Sequence, residues 1–144
     1  MGQQMRRPIA HFIASTNVND SVPRYLDTGS YDPMPTVQTI SNAMDVGNPS
    51  NFIRIQKIFN NDLFRMKKNL SGYAYTDDQT KKALKEIYAE KKYVADPHGA
   101  VGYLGLKEYL HQHAEDLYGV FLETAHPIKF IDTVEKTLKL KVPV

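Results

Sequence analysis

The chain has 144 residues, 42% hydrophobic and 24% charged, which suits one ordinary folded domain and excludes a charge-rich disordered chain. With 18 Lys plus Arg against 16 Asp plus Glu, the net charge of +2 makes no electrostatic case for nucleic acid or an anionic membrane surface. The absence of cysteine excludes a disulfide framework and a thiolate metal site, and with no long apolar run or secretory start the expectation is a soluble cytoplasmic protein.

In chain order, Ile9 to Ala14 reads as a buried strand. It ends at STNVND, whose Ser, Thr, Asn and Asp offer N-caps for a helix through Val22 to Leu26. Gly29, Pro33 and Pro35 punctuate a loop, and a short helix is expected at Ile40 to Met44. Beyond VGNPSN, the spacing of Phe52, Ile55, Phe59 and Leu63 predicts one longer helix to Met66. GYAYT predicts a short strand. Thr76 and Gln79 have the spacing of a capping box for a helix running to about Lys92. YVA predicts another short strand. Asp96-Pro97 then starts a helix to about His113, with a carboxylate at the N-cap and proline at the first helical position. YGVFLET predicts a further strand, and Pro127 to Leu140 a last helix. Strands alternating with helices argue for a single α/β domain over residues 1–144, a parallel sheet with helices on both faces.

Three strand ends share a pattern, a polar cluster followed by a helix start: Ser15 to Asp20, Asp96 to Gly99, and Glu123 to Pro127. Ligands of open α/β sheets bind outside the carboxyl ends of strands, and helix N-termini suit anions. Each cluster is also what plain helix capping would leave. Gly99, Gly102 and Gly105 recur inside one predicted helix, each at a cost of up to ~1 kcal/mol relative to alanine. Tight helix packing accounts for them better than ligand contact. No metal is expected: His111 and His113 diverge on a helix, His11 reads as a strand histidine, and His98 and His126 have no evident third ligand.

The blocks IASTNVNDSVPRYLDTG, TISNAMDVGNPSNFIRI, DPHGAVGYLGL and FLETAHPIKF follow in order from about Ile9 to Leu140. Together they resemble threonine synthase of the type shared by many bacteria and fungi. The resemblance implies a pyridoxal 5'-phosphate lyase of the tryptophan-synthase-β-like fold, converting O-phospho-L-homoserine and water to L-threonine and phosphate. It covers roughly the last third of such an enzyme. The family's Schiff-base lysine motif and glycine-rich phosphate loop have no counterpart among these residues. The expectation is therefore a fragment without catalytic residues of its own, inactive alone and prone to self-association through uncovered apolar surface. The alternative is a non-catalytic α/β module that binds a phosphorylated metabolite or a protein partner.

By the same resemblance, Thr124 would set its hydroxyl against the pyridine nitrogen, although it could instead cap the last helix. Asn17 and Asn19 would lie beside the cofactor. Asp20, Arg24, Ser50, Asn51, His98 and Lys129 would face substrate, with Asp96 at the mouth of the site, and each charged group could equally be a structural ion pair. Asp45 reads as a structural hydrogen-bonding group.

Overall fold

Strand β1 (Phe12–Thr16) and strand β2 (Leu70–Ala74) pair in parallel, Phe12 opposite Leu70 and Thr16 opposite Ala74. The structure is a computed structural model and describes residues 9–113 and 117–142. The expectations drawn from the first eight residues and the last two fall outside that range.

Between the strands run α1 (Ser21–Thr28), a 3₁₀ turn (Asn42–Met44), α2 (Phe52–Ile58) and α3 (Leu63–Lys67). After β2 come α4 (Asp77–Lys91), α5 (Pro97–Gln112), a 3₁₀ turn (Pro127–Phe130) and α6 (Ile131–Leu138). The strand alternation sends Phe12 and Ala14 to one face, where they pack on Tyr25, Leu26, Phe52, Phe59, Met66 and Leu70 from α1, α2, α3 and β2. Ile13 and Ser15 point to the other face, against α5 at Gly105. Helices therefore cover both faces, as expected. A second core joins α4, α5 and α6 through Ala83, Leu84, Ile87, Ala95 and Ala100, with Leu138 packed on it.

Two of the expected caps form, while at α1 Asp20 stands at the N-cap without a side-chain bond to the helix. Thr76 Oγ1 accepts from the Gln79 N–H, while the Gln79 side chain accepts from the Thr76 N–H at 2.8 Å. Asp96 accepts from the His98 N–H at 2.8 Å, with Pro97 in the first turn. The last cap differs: His126, not Thr124, accepts from the Ile128 N–H and opens the 3₁₀ turn.

Three expectations give way. The single helix from Phe52 to Met66 is broken, because Asn60 and Asn61 take φ of 54° and 58° and Asp62 caps a new helix by accepting from Arg65 N–H. Asparagine tolerates this left-handed region better than most residues, so the apolar period continues while the backbone turns. The YVA and YGVFLET segments form no strands. Around Tyr118 the alternation survives without a ladder: Tyr118, Val120 and Leu122 are 97%, 85% and 75% exposed, while Phe121 and Glu123 turn inward. A strand needs a neighbour, and the described residues supply none there.

The glycines of α5 separate by what they touch. A Cβ at Gly105 would overlap Ser15 Oγ and sit 3.2 Å from Ile13 Cγ2, whereas one at Gly102 would meet Phe121 at an ordinary 3.6 Å. Gly105→Ala should therefore cost ~1–3 kcal/mol by overpacking. Gly102→Ala should be neutral or stabilise by up to ~1 kcal/mol through helix propensity. Urea unfolding of both variants separates the two cases, and equal effects would reject this reading of the helix contact.

Candidate functional site

Helix α5 runs antiparallel to β1, so its N-terminus lies at the carboxyl end of the sheet. His11, near the start of β1, stacks on Tyr109 near the end of α5 at 4.7 Å. Residues just beyond the end of β1 reach the head of α5 through the 39–45 turn. The start of α4 joins the same edge, where Asp77 accepts from the Ile40 N–H at 3.2 Å.

Asn17, 1% exposed, organises the strand end. Its amide N–H groups point to Thr39 Oγ1 at 2.9 Å, Ser41 Oγ at 3.1 Å and Asp45 Oδ1 at 2.8 Å. Its carbonyl oxygen accepts from Asn19 N–H at 3.0 Å and from the Asn19 amide at 2.8 Å. Asn19 exchanges bonds with the backbone of Val37, donating at 2.9 Å and accepting at 2.8 Å. The Asp45 carboxylate closes the network by accepting from Thr39 N–H at 2.9 Å and Thr39 Oγ1 at 2.7 Å. Asp45 is thus the hydrogen-bonding group the sequence suggests. Both asparagine amides spend their polar atoms inside the protein, holding the turn in shape.

The turn continues the chain of contacts. Ala43 N–H donates to His98 Nε2 at 3.1 Å. A backbone N–H can only donate, so Nε2 accepts and Nδ1 carries the proton, which it gives to Asp96 Oδ1 at 2.7 Å. Phe130 covers the His98 ring at 4.6 Å. Asp96, fully buried, then abuts Glu123. Burial works against the Asp96 anion, but the His98 ring, Glu123 and the His98 N–H bring its pKa below the usual range. Burial first, and then the Asp96 carboxylate, push Glu123 up to about 8.

The structure thus brings Asn17, Asn19, His98 and Asp96 into one connected edge, with Thr124 next in sequence to Glu123. Thr124 is exposed, and its hydroxyl makes no hydrogen bond among the described residues. The other expected site residues stand apart from this network. Asp20 precedes α1 and pairs with Arg24 Nε at 3.5 Å, while the Arg24 guanidinium donates to the Asp32 carbonyl at 2.7 Å. Ser50 and Asn51 precede α2, exposed and without side-chain bonds among the described residues. Lys129 projects from the second 3₁₀ turn, also exposed.

Sequence reading gave Glu123, Thr39 and Ser41 no role. A signal for Glu123 was nonetheless present. An acid at a strand end beside an Asp-Pro-x-Gly helix start is a candidate for close carboxyl contact, since the glycine leaves room for it.

Residues 99–144 match the family model "Threonine synthase, C-terminal". The chain is 44% identical over 142 residues to the threonine synthase of Buchnera aphidicola from Acyrthosiphon pisum, covering 99% of the chain and 32% of that protein. It is 41% identical to the Escherichia coli K12 enzyme, over 96% of the chain and 31% of that protein. The solved structure of Escherichia coli threonine synthase superposes with a TM-score of 0.87 at 38% identity, covering 99% of the chain and 32% of that protein. The pyridoxal-phosphate-bound threonine synthase of Brucella melitensis does so with a TM-score of 0.83 at 26% identity, covering 99% of the chain and 35% of that protein. The chain thus matches the C-terminal part of threonine synthases along nearly its whole length, with their α/β fold. It spans about a third of the length of the relatives it matches.

Proposed function

We propose that this chain, homologous to the C-terminal part of threonine synthases, works as that part of a pyridoxal-phosphate enzyme making L-threonine and phosphate from O-phospho-L-homoserine and water. The observation that carries the reading is the superposition on the Escherichia coli enzyme over 99% of the chain. The bare side chains of Tyr118, Val120 and Leu122 support it, because an alternating apolar edge of this kind needs cover from further polypeptide.

The residues present fit the cofactor at one point in particular. Thr124 is exposed and its hydroxyl bonds to nothing among the described residues, so it is able to meet a ring nitrogen. Asn17 and Asn19 have no polar atoms to spare, so their part is to fix the wall beside the ring. The cofactor, when bound, supplies the electron sink, and the protein's part is binding, orientation and electrostatics. Arg24 and Lys129 remain candidates for the substrate phosphate by charge, and Ser50, Asn51 and Asp20 candidates for its amino-acid end. His98, held on both ring nitrogens, keeps the 39–45 turn against α5.

The 144 residues by themselves should turn over no phosphohomoserine when supplied with pyridoxal phosphate. A chimera in which residues 9–142 replace the equivalent segment of Escherichia coli threonine synthase should be active. Phosphate release and threonine formation measure both. Turnover by the isolated chain would overturn the division of labour. A folded, cofactor-loaded chimera with no turnover would overturn the reading itself and favour a non-catalytic module.

A further inference from the structure

At this edge, among the described residues, Glu123 is a half-buried acid with shielded carboxyl oxygens whose chemistry the threonine-synthase reading leaves unused. Both its carboxyl oxygens are shielded from solvent without a hydrogen-bond donor, and so is Asp96 Oδ2. Three shielded carboxyl oxygens in one place carry a desolvation cost that native structures do not leave uncompensated. No Lys or Arg pairs with either carboxyl among the described residues. The titratable groups against Glu123 are Asp96 at the N-cap of α5 and Tyr93 from the segment before it, with His98 behind Asp96. None is a cation in this arrangement, since His98 gives its single ring proton to Asp96 and accepts at Nε2.

One proton resolves the conflict. Asp96 Oδ1 already accepts from the His98 N–H and from Nδ1, both of which favour its anion. Oδ2 is left for one more donor. Protonated Glu123 supplies it as a hydroxyl, and the two carboxyls then form a single hydrogen-bonded pair with one net charge. The backbone is built to permit the contact. Gly99 lies under the Glu123 carboxyl, and a Cβ there would fall inside that carboxyl group. A glycine in the first turns of α5 is therefore explained by room for this acid, as Gly105 is by room for β1.

We propose that Glu123 is a neutral acid whose proton bridges to Asp96, and that this bridge positions the Thr124 segment against the head of α5. Apart from Phe121, which packs on Gly102 and Tyr103 of α5, the segment pairs in no sheet among the described residues and is exposed at Tyr118, Val120 and Leu122. The bridge also backs Asp96, which orients His98 and through it the 39–45 turn. Glu123 is thus a positioning residue, linking its own segment to the end of β1 through Asp96, His98 and the 39–45 turn. Its existence follows from the geometry of this chain, while its bearing on catalysis rests on the threonine-synthase reading.

The test is a carboxyl titration by NMR on the protein labelled with ¹³C at glutamate Cδ. One resonance should titrate at about 8 and be missing in Glu123→Gln. Ordinary glutamates titrate at about 4.3. Because the folded-state value is raised, the stability from this group is complete below the unfolded value of 4.5, declines above it and is lost by pH beyond about 8. The side-chain amide introduced by E123Q donates at every pH, so that variant should lose the slope and match the wild-type protein at low pH. G99A should displace the acid and return its titration toward the ordinary range. A wild-type protein with no glutamate titrating above about pH 6 would overturn the bridge. So would an E123Q variant with an unchanged slope. A high-pH loss of stability that added potassium or calcium repairs would overturn it too, since a cation would then fill the gap. None of these readouts uses the cofactor. An inactive chimera with a normal Glu123 titration would therefore count against the enzyme reading alone.

Discussion

Asn17→Leu should lower the unfolding free energy by ~3–5 kcal/mol, the cost of breaking a buried polar network from its centre. Leucine keeps the branched outline of asparagine with bulkier ends and none of its bonding. Its introduction would take the Asn17 amide from Asp45 Oδ1, which keeps Thr39 Oγ1, and would leave Asn19 without both the acceptor for its backbone N–H and one acceptor for its side chain. Those groups are buried or nearly so, and water cannot replace the lost partner without opening the turn. A sharper variant is Asn17→Asp. It keeps the shape but sets a carboxylate oxygen where an N–H₂ now meets Asp45 at 2.8 Å. The two anions repel, so N17D should be worse than N17L at neutral pH and recover as acid protonates one of the pair. Urea denaturation at two pH values reads both effects. A loss below about 1 kcal/mol for the leucine variant would mean the network is solvated and does not organise the edge.

How much of this was legible in the residues depends on the range of the interaction involved. The capping box at Thr76 and Gln79 and the Asp96-Pro97 start were readable because each is closed within a single helical turn. The helical period of Phe52 to Leu63 was readable too, but it could not reveal that Asn60 and Asn61 reverse the backbone between its two halves. Side-chain period and backbone continuity are separate signals. The strand at YGVFLET failed for the opposite reason. Its alternation is real, yet pairing is a property of two segments, and only one of them is present among the described residues.

The site divides along the same line. Asn17 and Asn19 were recognisable as a polar strand end, but their saturation by Thr39, Ser41, Asp45 and Val37 depends on a loop well beyond α1 in the chain. Nothing local distinguishes an amide offered to a ligand from one consumed by the fold. Glu123 and Asp96 lie still further apart, and their contact exists because α5 opens with a glycine beneath the strand-end acid. The three polar clusters do meet at one edge. What joins them is a relay of backbone and side-chain bonds, from Asn17 through the 39–45 turn to His98, Asp96 and Glu123. A substitution anywhere along that relay should be felt at the segment carrying Thr124.

Thr124 itself carries the largest expected effect on activity. In the chimera with Escherichia coli threonine synthase, Thr124→Asp should lower kcat by roughly 10²-fold, the scale typical of losing one well-aimed group at a reacting centre. Thr124→Ser should stay within about threefold, because the hydroxyl persists and about 1.4 kcal/mol is already a tenfold change. The reasoning is electrostatic. A neutral hydroxyl tolerates an unprotonated ring nitrogen, whereas a carboxylate at the same place stabilises the protonated ring. The fold of this segment does not depend on the hydroxyl, since in this chain Thr124 is exposed, bonds to nothing among the described residues and caps no helix. Its replacement should therefore leave folding intact, with a change in thermal midpoint too small to explain the lost rate. The absorbance of bound cofactor against pH supplies the independent reading: the aspartate variant should hold the ring proton to higher pH than threonine or serine does. Full activity in T124D, with an unshifted absorbance profile, would remove Thr124 from the ring nitrogen and leave the strand end without its assigned task.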